Sequence, residues 1–330
     1  MIISKTPFRV SFAGGGTDLS AYYKKRGFGA VLSTSIDKYM YITVHKPFED
    51  YILLRYSSTE LVNKVEEVKH PLIKEALKLL KIKNNIEITS FADIPSIGGT
   101  GLGSSSSYTI GLLNTLSAHL GKHFSKEKLA KSACDIEINK VGSPIGKQDQ
   151  YAAAYGGLNF IKFNDDETVI VEPIIMDSEI KKKLNNRLVL FYTGITRSAN
   201  EILIKQKKNT MNSQDHLNFL DKMKELAIEL RKDLKNGKID SFGQMLHKGW
   251  EYKKEMAAGI TNVAIENLYN YGTKNGAEGG KLLGAGGGGF LLFYVLEKNK
   301  KKLIKTMTSK GVRYFPFNFE NDGSRIIFQS

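Results

Sequence analysis

Gly101-Leu102-Gly103-Ser104-Ser105-Ser106-Ser107-Tyr108 is the stretch that decides how this chain is read. Its glycines admit tight backbone geometry. Ile110, Leu113, Leu116 and Leu120 follow at helical spacing, so the serines fall in the first turn of a helix. A helix start offers unpaired amides and the positive end of the dipole, a cradle for phosphate. Serine hydroxyls there bind phosphate oxygens or a magnesium ion; the bland alternative is a glycine turn with serine caps. No Gly-Lys-Ser/Thr follows, so this is not a Walker loop, and it is not a dinucleotide fingerprint.

Around this motif lie 330 residues with 41% hydrophobic and 25% charged content, enough for two domains. That composition excludes long disorder, collagen and a small disulfide scaffold. Cys134 is the one cysteine, which rules out an intrachain disulfide and a cysteine-based metal cage and points to a reducing cytoplasmic home. Residues 1–10 lack the basic-then-apolar pattern of a signal peptide, and no apolar run approaches ~18 residues, so no membrane association is expected. The balance of 48 basic against 34 acidic residues gives +14. Forty of the 48 are lysines scattered over amphipathic helices and eight are arginines, so no nucleic-acid partner is expected. Such a field still gathers a small anionic substrate.

Strands are expected over residues 2–12, 39–44, 51–54, 85–91 and 158–163, with helices over 70–82 and after Ser125. A buried-type strand follows at 188–192. Helices then run from about 198 to 271, with breaks at 239–241 and 259–261, before strands at 290–295 and 326–328 around a lysine-rich helix. Strands and helices mix without regular alternation, which makes the fold class α+β in two halves. The polar segment 177–186 is the boundary, giving 1–184 and 185–330.

Three further constellations carry chemistry. Thr6-Pro7-Phe8-Arg9-Val10-Ser11-Phe12-Ala13-Gly14-Gly15-Gly16-Thr17-Asp18 places an arginine inside an apolar strand, which demands a paired charge, structural or functional. Asp18 either accepts hydrogen bonds from sugar hydroxyls or caps the helix near Leu19. Glu137 and Asp149 flank Gly142-Ser143-Pro144-Ile145-Gly146, a pairing that suits a metal ligand and a base and also arises by chance. Gly284-Ala285-Gly286-Gly287-Gly288-Gly289 lies between apolar runs, as a site of close backbone approach or a flexible hairpin loop.

In order and content these motifs resemble those of the GHMP small-molecule kinases: an N-terminal Pro-x-Arg-Val, a central Gly-Leu-Gly-Ser-Ser and a late glycine stretch. The run Phe12-Ala13-Gly14-Gly15-Gly16-Thr17-Asp18 is similar to the branch that phosphorylates D-glycero-α-D-manno-heptose 7-phosphate on its anomeric hydroxyl for surface-glycan precursors. The resemblance implies a ribosomal-protein-S5-like N-terminal half, a ferredoxin-like C-terminal half and an active site between them. It implies ATP as co-substrate, held by Gly99, Gly101, Leu102, Gly103, Ser104, Ser105 and Ser106, and Mg2+ at Ser105 and Glu137. Asp149 matches a catalytic base and Arg9 its basic partner; Gly15, Gly16, Thr17 and Asp18 match sugar-binding positions. Gly287 and its neighbours match a loop that steadies the central motif and closes the site. Galactokinases carry Gly-Glu-His-Thr-Asp where this chain has Gly14-Gly15-Gly16-Thr17-Asp18, which argues against galactose. Ser106 and Ser107 stand where the family often has alanine. A substrate that carries its own phosphate needs a cation, and Arg197, after Thr193-Gly194-Ile195-Thr196, is favoured over Arg26.

Overall fold

The computed structural model describes residues 1–94, 99–195 and 199–330. In chain order the first half holds β1 (Ile2–Ala13), α1 (Ser20–Arg26), β2 (Phe28–His45), β3 (Ile52–Arg55), β4 (Thr59–Val62), α2 (Pro71–Leu80) and β5 (Ile86–Ala92). It continues through α3 (Ser104–His119), α4 (Lys126–Cys134), α5 (Gln148–Tyr155), β6 (Leu158–Asn164), β7 (Val169–Pro173) and α6 (Ser178–Arg187). The second half holds β8 (Leu188–Tyr192), α7 (Ala199–Asn212), α8 (Gln214–Lys235), α9 (Phe242–Lys254), α10 (Val263–Lys274), β9 (Ala277–Leu282), β10 (Phe290–Val295), α11 (Glu297–Thr308) and β11 (Arg313–Phe315). Two last strands, β12 (Phe319–Glu320) and β13 (Arg325–Gln329), close the chain. The mixed α+β class is as expected.

The first sheet is organised by β2. It pairs with β1 along its length, with β6 over its first part and with β5 over its last. The register slips between Pro7 and Phe8, next to the one residue of β1 that cannot donate to the ladder. From Phe8 to Ala13 every residue of β1 is buried, without the alternation of a sheet wet on one face. Helices from both halves explain this, since α3 and α5 as well as α8 and α9 pack on β1. The second sheet has the order β11-β8-β10-β9, all antiparallel, with α9 and α10 on β9 and α11 on β10 and β11.

Three elements differ from the sequence reading. The strand expected at 39–44 is only the end of an 18-residue strand. The polar segment at 177–186 forms α6, capped by the Asp177 carboxylate on the amides of Glu179 and Ile180. Ser213 caps α8 through the His216 amide, a break not expected within the helical region. The chain passes from one sheet to the other through α6, within which the 184/185 division falls. After β11 it returns to the first sheet, where β12 pairs with β2 and β13 with β1. Among the described residues no helix is long and apolar enough to cross a membrane.

Candidate active site

The pleat of β1 points Arg9 and Ser11 the same way. Arg9 is 5% exposed, and a buried guanidinium is tolerable only when paired and hydrogen-bonded. Its Nε and one terminal nitrogen donate to the two carboxylate oxygens of Asp149, each at 2.8 Å. The other terminal nitrogen donates to the Gly101 carbonyl at 2.6 Å, and the Arg9 amide to the Leu102 carbonyl at 3.0 Å. Asp149 sits in the first turn of α5. One side chain thus ties β1, the start of α5 and the loop before α3 together through a bidentate pair.

Gly103, with φ 75°, precedes α3, and the serine run forms that helix's first turn. Ser105 and Ser106 donate to opposite oxygens of Glu137, both at 2.8 Å, and the Gln150 side chain adds a third bond at 2.6 Å. Ser107 donates to the Pro7 carbonyl at 2.8 Å, locking α3 to β1. Glu137 lies on a π-helical turn, Asp135–Lys140, that continues α4. It is fully buried, and burial pushes its carboxyl up to about 7 despite the three donors, with the nearby Asp149 charge adding to the rise. Magnesium fits this place. A buried carboxylate and an adjacent hydroxyl are oxygen donors, and magnesium typically takes one or two carboxylates and completes its shell with water and phosphate. Among the described residues no group of three or more His, Cys, Asp or Glu side chains could hold a metal.

Asp18 closes the other side. It is 2% exposed and does not cap α1, whose N-cap residue Leu19 makes no side-chain cap bond. Its carboxylate instead accepts from the amides of Gly16 at 2.9 Å and Gln148 at 3.1 Å and from the Gln148 side chain at 3.0 Å. Burial raises its pKa, and these amides pull it back. A Cβ at Gly146 would stand 2.0 Å from the Asp18 carboxylate, so this close clasp requires glycine.

The late glycine stretch packs on the central motif. A Cβ at Gly284 would lie 2.2 Å from the Gly101 Cα, and one at Gly289 would lie 2.6 Å from the Thr100 carbonyl. Gly287 itself donates to the Ile260 carbonyl at 2.8 Å. Gly284→Ala, at φ 69°, should cost about 1–3 kcal/mol and displace the loop before α3. A lowered melting temperature together with a raised KM for ATP is the expected result; unchanged values of both would contradict the contact.

Two cavities flank this junction. One is bounded by Ser104, Ser105 and Tyr108 of α3 with His70 and Tyr56, the His70 and Tyr108 rings stacked at 5.2 Å. The other is lined by Arg9, Ser11, Asp149 and Asp18 together with Lys253, Lys281 and Gly284. Gly15 and Gly16 line the second cavity, whereas Thr17 does not; its buried hydroxyl donates to the Gly14 carbonyl at 2.7 Å and accepts from the Ala30 amide at 2.9 Å. Arg26 lies outside the lining and pairs with Asp221 at 3.1 Å. Arg197, expected to hold the substrate phosphate, and the 95–98 part of the loop before Gly99 lie outside the described residues.

Sequence reasoning missed Ser11, Gln148, Gln206, Lys253 and Lys281, all of which line the second cavity. Among the described residues, the buried Ser11 hydroxyl and Gln148 carbonyl oxygen have no hydrogen-bond partner. Strand alternation from Arg9 to Ser11 was a usable signal, and so was a lysine between Gly280 and Leu282.

A phosphate cradle beside a second cavity, joined by a paired arginine and aspartate, suits group transfer between two small molecules, and relatives define the class as phosphotransferase with a sugar hydroxyl as acceptor. The chain belongs to the GHMP kinases: residues 71–157 match the model of the GHMP kinases N terminal domain and 230–312 that of the GHMP kinases C terminal. It is 32% identical to D-glycero-alpha-D-manno-heptose 7-phosphate kinase of Campylobacter jejuni, over 98% of this chain and 97% of that one. L-fucokinase/L-fucose-1-P guanylyltransferase of Bacteroides fragilis is 27% identical over 92% of this chain and 35% of that longer protein. Among solved structures, a D-glycero-D-manno-heptose 1-phosphate kinase from Bacteroides thetaiotaomicron superposes with a TM-score of 0.82 at 26% identity, covering 100% of both chains. The chain is therefore a sugar kinase of a family that uses ATP, with the two-domain fold the resemblance implied.

Proposed function

We propose that the protein transfers the γ-phosphoryl group of ATP to the anomeric hydroxyl of D-glycero-α-D-manno-heptose 7-phosphate, giving the 1,7-bisphosphate for nucleotide-activated heptose in the cytoplasm. The observation that carries this reading is the Asp149–Arg9 pair, which lines the acceptor cavity and is tied through Arg9 to the Gly101 carbonyl of the loop before α3. In the transfer the sugar oxygen loses its proton to the Asp149 carboxylate as its bond to the γ-phosphorus forms. The bond from that phosphorus to the bridging oxygen breaks, and ADP leaves. Arg9 orients the carboxylate, so that one oxygen edge is engaged and Asp149 cannot swing from the acceptor. Residues Gly99 to Ser106 hold the nucleotide phosphates on the α3 helix start. Ser105 and Glu137 would hold magnesium, which when bound neutralises phosphate charge. Gly15, Gly16, Asp18, Ser11 and Gln148 form the sugar side, with Thr17 keeping the turn in place. The two lobes divide near 184/185, with residues 319–329 returning to the first.

The substrate class follows from the likeness to the heptose kinases over nearly the whole chain. A coupled ADP-release screen over hexoses, heptoses and their phosphates tests it. Highest kcat/KM with heptose 7-phosphate is expected; a higher value with fucose, galactose or an unphosphorylated heptose would replace the substrate.

A further inference from the structure

We propose that Lys253 and Lys281 form the binding site for the phosphate that the acceptor sugar itself carries. The inference rests on the reading that the acceptor is a sugar phosphate. Lys281 is 5% exposed and Lys253 8%, both line the acceptor cavity, and among the described residues neither has a carboxylate partner. Lys281 donates to the Phe12 carbonyl at 3.0 Å, and Lys253 to the carbonyls of Leu282 at 3.1 Å and Gly284. An ammonium has three donors, so Lys281 keeps two and Lys253 one for a ligand.

Two buried amines without a carboxylate partner are costly to charge, and an arriving anion offsets that cost. Both amines feel the burial and the neighbouring positive charge. Burial pushes Lys281 down to about 7, with Arg9 adding to the fall, and burial holds Lys253 well below its ordinary value, with Lys281 and Arg9 contributing. The nearby carboxylates are already engaged, Asp149 by Arg9 and Asp18 by the Gln148 and Gly16 amides. A phosphate dianion would satisfy both lysines at once.

Position selects the acceptor's phosphate over the nucleotide's. Ser104 and Ser105 line the other cavity, and no residue of the serine run lines the one that holds the lysines. Lys281 is anchored three residues along β1 from Arg9, about 10 Å at strand rise. Lys281 thus meets β1 at Phe12, and both lysines share their cavity with Asp149. Neither Arg26, paired outside this cavity, nor any other described arginine but Arg9 lines it.

The experiment compares kcat/KM for heptose and heptose 7-phosphate, and KM for ATP, in wild type, Lys253→Met, Lys281→Met and Lys281→Arg. Methionine keeps the length and removes an unpartnered buried charge, so melting temperatures at or above wild type are expected. The preference for the phosphorylated sugar should fall roughly 10- to 100-fold in each methionine variant, the worth of a charge-assisted hydrogen bond. Lys281→Arg, which keeps the charge, should regain part of it, and KM for ATP should stay near wild type. Binding of inorganic phosphate, read by calorimetry, should weaken alongside. A wild-type preference kept in both methionine variants overturns the lysine site and leaves the substrate standing. A rise in KM for ATP without loss of sugar-phosphate preference assigns the lysines to the nucleotide instead. Equal use of the two sugars by wild type removes the phosphorylated acceptor, and this site with it.

Discussion

Asp149→Asn should lower turnover by roughly 10²–10⁴-fold, the range for loss of a positioned general base. The variant keeps the shape of the side chain and one oxygen to accept from Arg9, so nucleotide affinity and fold should change little. The carboxylate does two things in the structure. It neutralises a guanidinium that is 5% exposed, and it lines the acceptor cavity with its remaining surface. Arg9→Met separates these contributions, since it removes the charge pair and also the tether to the Gly101 carbonyl. That variant should reduce turnover more than ATP affinity, measured by steady-state kinetics beside direct nucleotide binding. Near-normal turnover in Asp149→Asn would mean that the sugar hydroxyl attacks without a protein base.

Glu137→Gln should abolish most metal-dependent turnover while leaving the chelated protein as stable as wild type or more so. A carboxyl raised to about 7 in the fold and near its ordinary value when unfolded holds extra protons in the native state between those two values. Stability therefore falls as pH rises through that window, and above it the ionised, buried carboxylate remains a cost. Glutamine removes the cost and can still exchange hydrogen bonds with Ser105, Ser106 and Gln150. Melting curves in chelator at pH 8 and a magnesium titration of activity test both halves. A variant that is active across the titration, or that melts well below wild type in chelator, would contradict the assignment. Ser105→Ala should weaken the same metal dependence with little effect on folding, because Ser105 is exposed and Glu137 keeps two other donors.

Much of the fold was legible because its elements carry local signals. Apolar spacing marked α2, α3 and α4, and the Ser125 cap placed α4. The first part of β2 was not legible, since Gly29, Ser33, Thr34, Ser35 and Asp37 break any apolar alternation. Those residues become strand because β1, β6 and later β12 pair with them, contacts that sequence spacing does not contain. The return of residues 319–329 to the first sheet was hidden for the same reason.

The site divides similarly. Arg9 stood out as a charge in an apolar strand, and its partner lies 140 residues away, so the pairing came from family resemblance rather than spacing. The serine run announced itself, and Ser106, where the family often has alanine, holds Glu137. Lys253 and Lys281 went unread among forty lysines whose typical place is a solvated helix face. Their burial comes with the packing of α9 on β9 and β1, which sequence spacing does not contain.

The central claim is that phosphate arrives on the anomeric oxygen of a heptose 7-phosphate. Phosphorus NMR of the reaction of wild-type protein with ATP, Mg2+ and this sugar reads it directly. The expected spectrum gains ADP and, in equal amount, a second sugar phosphate resonance coupled to the anomeric proton, while the original 7-phosphate signal persists. ADP without a new sugar phosphate, or a new phosphate coupled to any other proton of the ring, would contradict the account.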